Sequence, residues 1–554
     1  MSRASLCLVA VLSLAWARPA PAQTPPSQPA RDTPAAIGGS SAIRGRVVDA
    51  ATGRALSRVE MRAGPNPGQV NGRIVITDGE GRYEIKGLPA GVYTIIAAKP
   101  NYVRTSWGEP RPEGPGKRIT LTDGQMLDKI DLRLVRAGVI TGRVLDEFGD
   151  PITDVQVMPM RYVYQQGTRR LTPSGRSGQT NDIGDYRIYG LSPGQYYVSA
   201  TLRNFSMSQD NNNTDRSGYA ATFFPGTGNV AEAQRLTIAP GQTIGAVNMT
   251  LLPIQTSRVS GVALDSQGRP VAGAYVNAMQ RMGFYGYGGP PAQTRADGKF
   301  TVTGLTPGEY ILRLNMQGSQ DMATALVTID GGDVTDVQLV ATKPSAIRGR
   351  IVMDPDAPAP KLSEIVVNFV RPDPMVGGFG QARPKEDFTF ATTLPAGLAF
   401  IRAPVTVADT PWRLNRVMVN GVDVADTGVE IPPDGALSDV VVELTSHMPQ
   451  ISGRVADAGG KTVRDCYVIV FAQDPSRWTV QSRYATVSRP GLDDNFHARL
   501  PPGDYYGVAI TDVEPGAWTD PSFLSQARDR ATPFTLAPGE TKSVDLPLSP
   551  PPVF

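Results

Sequence analysis

Ile43-Arg44-Gly45-Arg46-Val47 is the stretch from which the rest of the chain can be read. Apolar side chains alternate with polar ones, the two-residue period of a strand with one buried face. A glycine at the centre of such a strand marks a bulge or the close approach of another backbone. The phrase returns as Ile140-Thr141-Gly142-Arg143-Val144, Val259-Ser260-Gly261-Val262-Ala263, Ile347-Arg348-Gly349-Arg350-Ile351 and Ile451-Ser452-Gly453-Arg454-Val455. The five glycines lie 97, 119, 88 and 104 residues apart. Each interval is the size of a small domain, too long for a solenoid turn.

Further phrases recur downstream of each opening strand. Thr77-Asp78-Gly79-Glu80-Gly81-Arg82-Tyr83 has equivalents at Thr180–Tyr186 and Thr294–Phe300. It is a strand end, a polar glycine turn and a new strand bearing an aromatic. Leu88-Pro89-Ala90-Gly91-Val92-Tyr93 returns at Leu191–Tyr196, Leu305–Tyr310 and Leu500–Tyr505, and at Leu394–Phe400 with the aromatic shifted by one residue. Pro-Gly there predicts a type II turn. Short apolar runs then close each unit, giving about seven strands per hundred residues, the size of a two-sheet sandwich. No helical stripe stands out. With 58 glycines and 49 prolines in 554 residues, the chain is turn-rich, as many short strands require.

The fold expected is all-β, a tandem array of about five seven-stranded sandwiches: residues 41–136, 137–254, 255–343, a divergent fourth at 344–447, and 448–550. The short joins predict neighbouring sandwiches set end to end as a semi-rigid rod. Residues 1–22 read as a signal peptide: Arg3, an apolar Ser5–Trp16 too short to span a bilayer, and Ala20-Pro21-Ala22 as the cleavage site. Residues 23–40 read as a proline-rich leader. The chain is therefore expected to be exported, periplasmic or extracellular, with no transmembrane segment after cleavage. Losing Arg3 and Arg18 from 54 bases leaves 52 against 52 acids, and no dense basic run argues for nucleic acid as a partner.

These phrases together resemble the carboxypeptidase regulatory-like domain, most fully in the first unit and least in the fourth. The last unit resembles the closing domain of multi-repeat exported bacterial proteins, on Asp465–Phe471, Trp478 and Trp518-Thr519-Asp520-Pro521. The resemblance implies a transthyretin-like (prealbumin-like) sandwich acting as an accessory module. It also implies kinship with the starch-binding-like fold, and so carbohydrate binding as an alternative.

Chemistry is sparse. A zinc peptidase needs two histidines and a carboxylate around the metal. His447 and His497 are the two histidines of the chain, 50 residues apart and in no H-x-x-E pattern. The aspartate turns offer too few carboxylates for calcium. Cys466 with His497 is the sharpest enzymatic alternative, but Cys466 precedes the apolar run Tyr467–Phe471 and reads as a core residue. Prolines 547 and 550–552 argue against a final membrane strand. The expectation is thus no catalytic residue, no metal and no cofactor, in a structural or interaction protein whose partner is an envelope protein or polysaccharide. An unrecognised enzyme is the distant alternative. If a ligand binds, the candidate contacts are aromatic loop residues: Tyr162 and Tyr164, then Phe284, Tyr285 and Tyr287, then Phe379, then Trp478 and Tyr484. Exposed rings beside glycine stack on sugars or peptides, or pack on the adjacent sandwich.

Overall fold

The five opening strands are Ser41–Asp49, Gly138–Leu145, Ser257–Leu264, Ser345–Met353 and Gln450–Gly453. The computed structural model describes residues 39–550, save 65–71, 110, 115, 166, 203–216, 282–284, 288–289, 373–379, 406–409 and 434. The signal peptide and most of the leader read from the sequence lie outside the described residues. In every unit the opening strand runs antiparallel to the strand bearing the aromatic and parallel to the closing strand. Gly45 stands directly opposite Tyr83, Gly142 opposite Tyr186, Gly261 opposite Phe300, Gly349 opposite Phe390 and Gly453 opposite Phe496.

This geometry explains the glycine. A Cβ there would lie 1.9–2.3 Å from a backbone carbonyl oxygen of the closing strand: Ile130, Val247, Val337, Val440 or Val544. In four units the residue before that carbonyl (Lys129, Ala246, Asp336, Asp439) has positive φ, a bulge that pushes the carbonyl onto the glycine. The facing ring lies beneath it. In the first two units the ring hydroxyl, Tyr83 or Tyr186, donates to the same carbonyl at 2.6 Å. Burying one such ring stabilises its sandwich by about 2–3 kcal/mol.

A second sheet covers the first in each unit, five-stranded in the first and third, for example, with the core between. Ile43, Met61, Ile85, Ile95, Ile119 and Leu134 are fully buried in the first core. The chain is thus an all-β tandem array of transthyretin-like sandwiches, each filled by its own side chains.

The recurring turn residues cap backbone groups. Thr77, Thr180 and Thr294 are buried, and each Oγ1 accepts an N–H bond at 2.9 Å, from Val59, Val155 and Ala274. Asp78 Oδ1 accepts from the N–H groups of Glu80 and Arg82. The tyrosine two residues after each of these turn glycines donates back four residues: Tyr93 to Pro89 O, Tyr196 to Ser192 O, Tyr310 to Thr306 O and Tyr505 to Pro501 O, at 2.6–2.9 Å. In the fourth unit, where the aromatic is shifted, buried Arg371 donates to the equivalent Pro395 carbonyl instead.

Four expectations are corrected. The turn glycines carry φ of +147° at Gly194 and +148° at Gly308, far from the roughly +80° of a type II turn, so the bend is more open. A helix does form, Pro521–Arg528, with Asp520 capping Ser522 N at 2.7 Å and Phe523, Leu524 and Ala527 buried. It is barely two turns, too short to print a stripe, although Asp-Pro was its start signal. The last strand, Leu546–Ser549, forms with Pro547 inside it, between Val455–Ala456 and Ala509–Ile510. Finally, the sandwiches do not merely follow end to end, because the fifth contacts the first, second and fourth. Short joins constrain only consecutive units; side chains hundreds of residues apart decide the other contacts.

Candidate functional site

Four of the aromatic candidates, Tyr162, Tyr164, Trp478 and Tyr484, make contacts within the protein. Trp478 follows the single turn Pro475–Arg477 and is 8% exposed. Its Nε1 donates to Ala472 O at 2.7 Å, and its ring meets Phe471 edge to face at 5.7 Å. Tyr164, on strand Val155–Gln165 of the second sandwich, packs against the same cluster, which also holds Phe523 and Leu524. Tyr162 lies edge-on to Tyr197 at 5.9 Å, with the Arg169 guanidinium 5.0 Å from its ring centre. Tyr484 stacks on Tyr505 at 6.5 Å and carries Arg477 at 4.1 Å. Tyr285 and Tyr287 lie on a short strand paired with Met279–Arg281. Phe284 and Phe379 fall outside the described residues. Tyr164 and Trp478 therefore meet at one junction, while Tyr162 and Tyr484 belong to separate local clusters.

The titratable candidates are not assembled. Cys466 is fully buried, its Sγ 3.6 Å from Val463 O, and burial pushes its thiol up to about 11. Arg489 and Lys117 pull the other way without overcoming the burial. A thiol so protonated is a poor nucleophile at neutral pH. His497 Nε2 sits 3.0 Å from Asp493, and His447 Nδ1 3.0 Å from Asp354 on the fourth sandwich. The hydrogen bond that the Asp354 carboxylate accepts from His447 raises the pKa of the histidine.

What the structure does bring together is a set of contacts made by the fifth sandwich. Towards the first, Arg111 pairs with Asp512 at 2.9 Å and donates to Val513 O, Lys117 donates to Arg464 O at 3.0 Å, and Arg489 donates to Gly108 O. Towards the second, Tyr164 packs as above, and a Cβ on Gly516 would come within 2.6 Å of its carbonyl. Towards the fourth, Arg483 grips Asp426 through two bonds of 2.8 and 2.7 Å and also donates to Leu414 O and Asn415 O. Arg402 reaches Gln481 O at 2.6 Å. A forked, half-buried arginine–carboxylate pair is among the stronger polar contacts, about 1.5–3 kcal/mol per charged bond against nearly nothing for an exposed pair. Glu109 lies at the first of these junctions. Burial pushes it up to about 7, with the N–H of Ser106 and the charge of Arg489 opposing. No local pattern announces these arginines: each is a lone charge in its own strand or loop, and only docking makes it a contact.

Residues 42–135 and 258–342 match the carboxypeptidase regulatory-like domain. No curated protein matches the chain. Among solved structures, it is similar to the TIE protein of Bacillus anthracis at 11% identity, with 74% of each chain covered and a TM-score of 0.16. It is also similar to a streptococcal ancillary pilin at 12% identity, covering 54% of this chain and 98% of that one, with a TM-score of 0.19. The major pilin BcpA of Bacillus cereus stands at 10% identity, with 55% and 99% covered and a TM-score of 0.14. Among the described residues no helix is long and apolar enough to cross a membrane.

Proposed function

From the premise that this chain carries carboxypeptidase regulatory-like domains, we propose that it is a non-catalytic, exported structural protein. Its sandwiches serve as a preassembled scaffold for a protein or polysaccharide partner of the cell envelope. The observation that carries this reading is the set of contacts by which the fifth sandwich holds the first through single arginine and lysine bonds, the second through the Tyr164 cluster and the fourth through the forked Arg483. Order of that kind across non-consecutive units fits a load-bearing or presenting role. Export rests on the Arg3, Ser5–Trp16 and Ala20-Pro21-Ala22 pattern.

The test is fractionation of cells expressing the full chain, with N-terminal sequencing and reversible cross-linking of the envelope fraction. The expected result is an exported form starting after Ala22 that cross-links to one defined envelope component. Cytoplasmic retention, or a hydrolytic activity abolished by Cys466→Ser or His497→Ala, would overturn the proposal.

A further inference from the structure

A cavity of about 500 Å³ opens where the fourth and fifth sandwiches meet. Arg402 and Arg413 reach it from the fourth, Arg483 and Arg499 from the fifth, and Arg118 from the first, with Trp412 as part of its apolar wall. None of the described residues lining it is acidic. The nearby carboxylate of Asp426 is already taken by Arg483 through both oxygens.

The guanidinium groups are held in place before any ligand arrives. Arg402 donates to the carbonyls of Ile401, Ala425 and Gln481, and Arg499 to that of Thr410. Carbonyl oxygens fix orientation without cancelling charge. The consequence appears at Arg402, which burial and the neighbouring Arg483 push down to about 10. Arg118, at the exposed rim, has no hydrogen-bond or ion-pair partner among the described residues. Arg402 and Arg499, fixed by carbonyls, and Arg118 at the rim set like charges around a half-enclosed space, and they create a potential that an oxyanion relieves. Guanidinium forks match carboxylate and phosphate edges in particular. The volume lies within the range of small-molecule sites.

We propose that this cavity binds an organic polyanion, a molecule of about disaccharide size carrying two or more carboxylate or phosphate groups. The inference stands apart from the scaffold reading, since an anion site is compatible with any role of the protein. The shared chemistry has two sources, a free small polyanion or the acidic end of a glycan, and the probes separate them.

The experiment is calorimetric titration of the full chain at pH 7 with citrate, pyrophosphate, a uronic acid dimer, and maltose as the neutral control. At least one anion is expected to bind one-to-one with Kd below about 1 mM, and maltose not at all. Preference for the uronic acid dimer assigns a glycan source; preference for citrate or pyrophosphate assigns a free one. Arg118→Gln, at an unpartnered exposed position, should weaken binding at least threefold with unfolding unchanged, and Arg499→Gln at least tenfold. If Arg499→Gln does not fold, Arg118→Gln alone decides. Failure of every anion to bind, equal binding of maltose, or unchanged affinity in Arg118→Gln overturns the proposal.

Discussion

Replacing Gly261 with alanine should destabilise the third sandwich selectively. The added Cβ would stand 1.9 Å from the carbonyl oxygen of Val337 and 3.0 Å from Cζ of Phe300. Carbon–oxygen contacts below 3.0 Å are essentially never tolerated, so the two strands must part by about 1.1 Å. The obstructing atom is backbone in a strand paired over Val334–Val340, and it cannot rotate aside as a side chain would. Overpacking costs about 1–3 kcal/mol in general, and this case belongs at the upper end. For a sandwich of this size, about 3 kcal/mol lowers the midpoint by roughly 12–24 °C. Several sandwiches share the chain, so a single Tm is not well defined. The assay is therefore hydrogen exchange by mass spectrometry on full-length protein, following peptides that cover Ser257–Leu264 and Val334–Val340. Gly332→Ala is the control, because nothing lies within 4 Å of its Cβ and its φ is not positive; it should stay within about 0.5 kcal/mol. Equal protection in the two variants would refute the carbonyl-over-glycine account of the repeat.

The remaining predictions concern single bonds and titrations. Tyr83→Phe removes the hydroxyl bond to Ile130 O and should cost the first sandwich about 1 kcal/mol without loss of fold, as phenylalanine already serves at positions 300, 390 and 496; chemical denaturation followed by peptide-resolved exchange would check it. Asp426→Ala leaves Arg483 half-buried without its carboxylate and should loosen the fourth–fifth junction by about 3 kcal/mol, read as faster exchange at both faces while each core stays protected. Glu109 is protonated more readily in the docked state, near pH 7 against an ordinary 4.5, so its contribution is fully present below about pH 4.5 and is lost as pH rises to about 7. After allowance for its partial exposure the loss is on the order of 1 kcal/mol; proteolysis of the first–fifth junction across pH 5–8 should show it, and Glu109→Gln should flatten it. Cys466 should resist thiol reagents in the native protein and react at once when unfolded, and rapid native labelling would show that the thiol is reachable.

The local and periodic features were legible in the sequence. Alternation in Ile43–Val47 and its four copies predicts strands because side chains on a strand switch faces at every residue. The central glycine predicts a close backbone approach, and the structure supplies the carbonyl. The repeated tyrosine after Leu-x-x-Gly marks a strand start, and its hydroxyl turns out to close the turn four residues back. The helix Pro521–Arg528 was less legible, since one buried face made of Phe523, Leu524 and Ala527 carries too little periodicity to separate it from a loop.

Among the binding candidates, sequence placed aromatics beside flexible turns but gave no means to tell an exposed platform from a docked one. Tyr164 and Trp478 lie more than three hundred residues apart, and they meet only because the fifth sandwich packs on the second. The five arginines of the cavity are likewise unremarkable one by one. By itself the sequence determined the sandwiches, because a strand period and a glycine clash act within or between neighbouring segments. Only the tertiary structure decided which sandwiches touch and where charge gathers, because docking sums many weak surface contacts whose partners share no local signature.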